Sequence, residues 1–171
     1  MKRLELLSGS LLLAATYHSN QRRKSDATPY INHILEVVDL LIDVGKVSDV
    51  HELCAAALHD SIEDTNITRK MIARKFGSEV IDLVNALTDD KKLTLIERRA
   101  AALNKLSVAP NSVKRIKLAD ICSNATAIPD GWTAERLNEY YNWLDDVAKK
   151  CRPASEALYL EYLSRRRSTY N

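Results

Sequence analysis

The chain has 171 residues, 46% of them apolar and 28% charged, so it is long enough to bury a core and too apolar for a disordered segment. Its 4 glycines and 4 prolines are too few for the many turns of an all-β fold, and a formal net charge of +2 is too small to argue for nucleic acid as a partner. The cysteines, Cys54, Cys122 and Cys151, form no CxxC pair and fit a reduced, cytoplasmic protein.

The N-terminal stretch MKRLELLSGSLLLAATY imitates a secretory leader, but Glu5 interrupts it. Leu4, Leu7, Leu11, Ala14 and His18 step by three and four, which predicts a first helix over about 3–19. NQRRKSDAT, residues 20–28, is polar and predicts a loop that carries the basic group Arg22-Arg23-Lys24. Pro29 suits the first turn of a second helix, YINHILEVVDLLIDVG, closed by Gly45. Ser48 or Asp49 caps a third, running to about Asp64. Thr68 caps a short fourth, and SEVIDLVNALT and IERRAAALNKL give a fifth and a sixth. Asn111 or Ser112 opens a seventh, SVKRIKLADICSNATAI, stopped by Pro129-Asp130-Gly131. Thr133 begins an eighth, AERLNEYYNWLDDVAKK, and Pro153 parts it from a last helix rich in Leu and Tyr. No run alternates at period two, no linker divides the chain and no segment is long enough to cross a bilayer. The expectation is an all-α bundle of roughly eight to ten helices, one domain over residues 1–171. The C-terminal RRRSTYN reads as a solvated basic tail.

The third helix ends in ALHDSIEDT, which crowds His59, Asp60, Glu63 and Asp64 together. On an unbroken helix, positions 59 and 63 share a face, as do 60 and 64, and all four groups open to one side of a C-terminal end that already carries partial negative charge. A divalent cation is the economical compensation; an acidic helix end in water is the plain alternative. His33 lies in the apolar run PYINHILEVVDLL and Asp120 in RIKLADICSN, and each needs a partner if buried. Brought together from three helices, His33, His59, Asp60 and Asp120 make a nitrogen–oxygen set suited to Mn²⁺, Fe²⁺, Zn²⁺ or Mg²⁺. Asn124, four after Asp120, looks out on the same face.

The order RRK, PYINH, ALHDSIEDT, FGSEV, LTDDK and KLADICSN resembles the hydrolase domain of the RelA/SpoT proteins, within the HD superfamily of metal-dependent phosphohydrolases. It is most similar to the stand-alone small alarmone hydrolases, including the metazoan SpoT homologues, and PDGWTAERLNEYYNW extends the likeness to about residues 14–150. The resemblance implies one Mn²⁺ on His33, His59, Asp60 and Asp120, with Glu63 and Asp64 as the catalytic acidic pair. It places Arg23, Lys24 and Asn124 at the nucleotide, with Arg136 and Tyr140 on the substrate side. The implied reaction removes the 3′-pyrophosphate of guanosine tetra- or pentaphosphate, and a chain of 171 residues has no room for the synthetase domain of the full-length relatives. Thr126 stands where the family often has arginine, and Leu95 where stand-alone members can carry lysine.

Two other readings follow from the same residues. One keeps the site and changes the nucleotide, to the NADPH 2′-phosphate or an adenosine analogue. The other is a helical module that binds a nucleotide without turning it over. The implied partner is a small nucleotide, with no nucleic acid and no membrane; oligomeric state is not readable.

Overall fold

The computed structural model describes residues 2–168; Met1 and residues 169–171, the end of the basic tail, lie outside the described residues. Ten α-helices and one 3₁₀ turn account for the regular structure, and no strand occurs among the described residues. In chain order they are α1 Arg3–Tyr17, α2 Ile31–Asp43, α3 Val50–Leu58, α4 Ser61–Asp64, α5 Arg69–Phe76, α6 Ser78–Leu87, α7 Leu95–Val108, α8 Asn111–Ala125, α9 Ala134–Cys151 and α10 Glu156–Ser168. The 3₁₀ turn, Arg152–Ala154, holds Pro153, so the chain tightens there rather than breaking outright.

Capping side chains set several boundaries. Asp49 accepts from the backbone of His51 and Glu52 at the start of α3, Thr68 from Met71 at α5 and Thr133 from Arg136 at α9. Thr94 and Glu97 form a reciprocal capping box at α7, which the sequence reading did not assign. Each such cap is worth about 1 kcal/mol. Gly77, at φ 92, is both the end of α5 and the start of α6; that left-handed backbone suits glycine and lets the two helices meet without a linker.

Helices α3 and α8 form the centre. Cys54, Ala55, Ala56 and Ala57 of α3 are fully buried, and their small side chains admit α1, α2 and α6 at close range. Helix α8 packs against α2, α6, α9 and α10 through Val113, Ile116, Leu118 and Ile121. One apolar cluster runs from Ala14 of α1 to Tyr162 of α10. Truncating a fully buried member such as Leu58 to alanine costs about 2–5 kcal/mol.

The third sequence helix is broken. The structure ends α3 at Leu58 and restarts at Ser61, with His59 and Asp60 between them. The His59 amide turns back to the Ala56 carbonyl, three residues away, instead of four. Asp60 holds the N-cap position of α4 but gives it no side-chain bond, because its carboxylate faces Tyr30 and His59 instead. Glu63 and Asp64 therefore lie in the first turn of α4 and not at the end of a long helix, which corrects both the shared-face geometry and the dipole argument drawn from it. The seventh sequence helix is also shorter than expected, since α8 stops at Ala125.

Candidate active site

Three elements carry polar side chains into one buried centre. His33 comes from the first turn of α2, His59 and Asp60 from the α3–α4 break, and Asp120 from the C-terminal half of α8. His33 is 2% exposed, His59 4% and Asp120 5%. Asp60 Oδ2 lies 2.9 Å from His59 Nε2 and 3.7 Å from His33 Nε2. Asp120 Oδ1 lies 3.4 Å from His33 Nε2 and 3.8 Å from His59 Nε2. The four side chains that the sequence singled out are thus brought together, each imidazole facing both carboxylates.

Neighbouring bonds orient the set. His59 Nδ1 stands 2.8 Å from the Ala56 carbonyl oxygen, which only accepts, so Nδ1 carries the proton and Nε2 of the neutral ring is bare. That Nε2 is buried without a hydrogen-bond partner among the described residues, although a carboxylate oxygen lies beside it. Tyr30 donates to Asp60 Oδ2 at 2.5 Å, Lys117 to Asp120 Oδ2 at 2.8 Å and the Asn124 amide to Asp120 Oδ1 at 2.6 Å. Two carboxylates thus face one ammonium and two imidazoles. His33, His59 and Asp60 offer ligand atoms that all lie within 4.8 Å of one another, Asp120 stands beside them, and the orphaned His59 nitrogen among them fits a divalent cation.

The charges pull on one another strongly. Burial pushes His59 down, but Asp60 and Asp120 outweigh it and hold the ring well above its ordinary value. Burial pushes Asp120 up, and Lys117 with the two imidazoles more than reverses this. Asp60 ends below its ordinary value in the same way, mainly through His59. Lys117 is driven up by Asp120 against its own burial, and Tyr30 is driven up first by burial and then by Asp60.

A cleft of about 570 Å³ opens beside this centre. Its lining includes the acids Glu63 and Asp64 with Lys91, the basic group Arg22, Arg23 and Lys24, the aromatic residues Trp132 and Tyr140, and Tyr30 and Asn124. Glu63 accepts a short bond from the Asp89 backbone N–H, and Asp64 pairs with Lys91. Burial raises the Glu63 carboxyl; the Asp89 amide opposes this and nearby Asp60 adds to it. Arg23 donates to Ser123 Oγ, to the Ser123 carbonyl and to Asn124 Oδ1 at 3.2–3.4 Å, so it ties the 22–29 loop to α8 as well as lining the cleft. Tyr140 meets Trp132 edge-on at 5.2 Å, and burial pushes its hydroxyl up to about 12. Arg136 is not itself among the lining residues; its guanidinium lies over the ring of Trp132, which is, 4.3 Å from the centroid.

Sequence reasoning assigned no role to Tyr30, Lys117, Ser123, Lys91 or Trp132. Lys117 had a readable signal, since it precedes Asp120 by one helical turn. Lys91 had none, because it reaches Asp64 from a loop 27 residues further along the chain.

The HD-domain family pattern matches residues 10–137. This chain belongs to the HD-domain family. The HD domain here is 39% identical over 150 residues to a MESH1 protein of Xenopus tropicalis, covering 85% of this chain and 84% of that one. It is 38% identical over 141 residues to the MESH1 protein of Homo sapiens, covering 80% and 79%. Both relatives are named guanosine-3′,5′-bis(diphosphate) 3′-pyrophosphohydrolases. The same HD domain is 39% identical over 125 residues to a GTP pyrophosphokinase of Brucella ovis but spans 16% of that much longer protein. Among solved structures it superposes on a metazoan orthologue of SpoT that hydrolyses ppGpp, with a TM-score of 0.90 and 34% identity over 96% of this chain and 95% of that one. No helix among the described residues is long and apolar enough to cross a membrane.

Proposed function

We propose that this HD domain hydrolyses the 3′-pyrophosphate of guanosine 3′,5′-bis(diphosphate), using one Mn²⁺ held by His33, His59, Asp60 and Asp120. The observation that carries the reading is the convergence of two imidazole nitrogens and two carboxylates, 2.9–3.8 Å apart, beside a cleft lined by the acids Glu63 and Asp64. The relatives' activity and the length they share with this chain support it. We read residues 1–171 as a single degrading domain without synthetase activity, acting in the cytoplasm, where its three buried cysteines stay free.

A divalent cation in this cradle supplies Lewis-acid polarisation of a phosphoryl oxygen and a water of lowered pKa. The chain's own residues do the rest. Glu63 takes the proton of the attacking water: its carboxyl is held above the usual range, nearer the working pH of a general base, and the Asp89 amide fixes its direction. The departing 3′-oxygen regains a proton, through Asp64 or solvent. Lys91 keeps Asp64 in place at the cleft wall. Arg22, Arg23 and Lys24 offset the phosphate charge, and the Trp132–Tyr140 corner offers aromatic surface to a base.

The test is turnover of ppGpp by purified protein with Mn²⁺, with products read by mass spectrometry. Release of pyrophosphate and guanosine 5′-diphosphate supports the reading. Release of inorganic phosphate from NADPH alone, or of pyrophosphate from an adenosine analogue alone, replaces the nucleotide and keeps the site. Binding of ppGpp without turnover makes the protein a nucleotide-sensing module instead.

A further inference from the structure

The hydroxyl of Ser123 has three hydrogen-bond capacities, one donor and two acceptors, and each is used. It donates to Glu36 Oε2 at 2.5 Å, accepts from Arg23 Nη1 at 3.2 Å, and lies 2.8 Å from His33 Nδ1. Glu36 is a carboxylate pinned on its other oxygen by Arg165 of α10, and Arg165 is held in turn by Glu161 at 2.6 Å. A carboxylate only accepts, so the hydroxyl proton is committed to Glu36. The remaining contact then has one solution: His33 Nδ1 carries a proton and donates it to Ser123. The neutral ring must present a bare Nε2 to Asp60 and Asp120.

We propose that Ser123 and Glu36 are positioning residues that lock His33 in its Nδ1–H form, so that its Nε2 stays open to a cation. The proposal rests on the metal reading of the site. Without the lock, the Ser123 proton can turn to His33 Nδ1. The ring proton then moves to Nε2 and bonds Asp120 Oδ1, 3.4 Å away, closing the donor set against the metal. His59 needs no such device, because a backbone carbonyl holds its Nδ1. Helix α10 thereby reaches the cradle through Arg165 and Glu36, which lie 129 residues apart in the chain.

Ser123→Ala and Glu36→Leu test this on the 171-residue chain with two readouts. The first is the His33 tautomer in metal-free, ¹⁵N-histidine-labelled protein, read by long-range proton–nitrogen NMR at a pH where the ring is neutral. The second is Mn²⁺ affinity by titration calorimetry. The parent shows the Nδ1–H form; both variants show a mixture and lose about 10–100-fold in Mn²⁺ affinity. An Nε2–H ring in the parent, or an unchanged tautomer in either folded variant, overturns the lock. A parent that shows the Nδ1–H form but takes up no Mn²⁺ overturns the metal reading instead. Glu36 is only partly buried, so its variant keeps the test open if the buried Ser123→Ala fails to fold.

Discussion

Replacing Glu63 with glutamine separates proton transfer from architecture. The glutamine amide retains an oxygen where Glu63 Oε1 now accepts from the Asp89 backbone, so the segment from Thr88 to Thr94 keeps its anchor. Asp64 and Lys91 are untouched, and the four proposed metal ligands keep their partners. What is lost is a proton acceptor, a contribution of about 10²–10⁴-fold in turnover. That is about 2.7–5.4 kcal/mol in the barrier, at 1.36 kcal/mol per tenfold. Glu63→Ala should fall at least as far and also loosen the segment, because it deletes the acceptor of the Asp89 amide. Stability should move the other way. Folding raises the Glu63 carboxyl above its ordinary 4.5, so the folded state favours the protonated form. That advantage is full below 4.5 and fades as pH climbs through the folded value, leaving a charge that costs stability at neutral pH. Glu63→Gln should therefore melt slightly higher than the parent at pH 8, with the gap closing toward pH 4. The assays are pyrophosphate release from ppGpp with Mn²⁺, Mn²⁺ titration and thermal melts at the two pH values. Parental turnover in a folded, metal-binding Glu63→Gln removes Glu63 from the mechanism.

Asp64→Asn should keep fold and Mn²⁺ while turnover drops about 10²–10⁴-fold; equal rates in a steady-state assay take Asp64 out of the reaction. His59→Ala should lose its metal, and unchanged metal content by elemental analysis refutes the ligand set. Away from the site, Glu52 is almost fully buried and bound by Arg115 through two bonds of 2.6 and 2.9 Å. Arg115→Met strands that carboxylate and should cost about 3–5 kcal/mol, or about 6–20 °C in melting temperature for a chain of this size. Glu52→Gln should cost less, since Arg115 is partly exposed and can turn to water. Melts followed by circular dichroism rank the two, and the reverse order refutes the burial argument.

Much of this molecule is legible in its sequence, for definite reasons. Helices announced by an apolar stripe and a polar cap, such as those opened by Asp49, Thr68 and Thr133, form where the local chemistry puts them. His33 and Asp120 are conspicuous because each stands among apolar neighbours, His33 before Ile34-Leu35 and Asp120 between Leu118-Ala119 and Ile121, and the structure buries both beside His59 and Asp60. The break after Leu58 was invisible because HDSIED carries no glycine or proline. Its cause is tertiary: Tyr30 and His59 claim the Asp60 side chain, and the backbone follows. Lys91 and Trp132 escaped for a related reason, since loops bring them to the cleft and no helical spacing marks them. Arg136, which the resemblance put on the substrate side, stacks on Trp132, a residue that lines the cleft.

The interruption at residues 59–60 compresses two duties into one short stretch of backbone. A continuous rod would stack the four polar groups in two adjacent rows on one side. The bend lets one pair look inward while the next pair borders the open cavity. Lengthening or shortening the chain by one residue between Leu58 and Ser61 would swing both pairs at once, so this stretch should tolerate changes of identity better than changes of length.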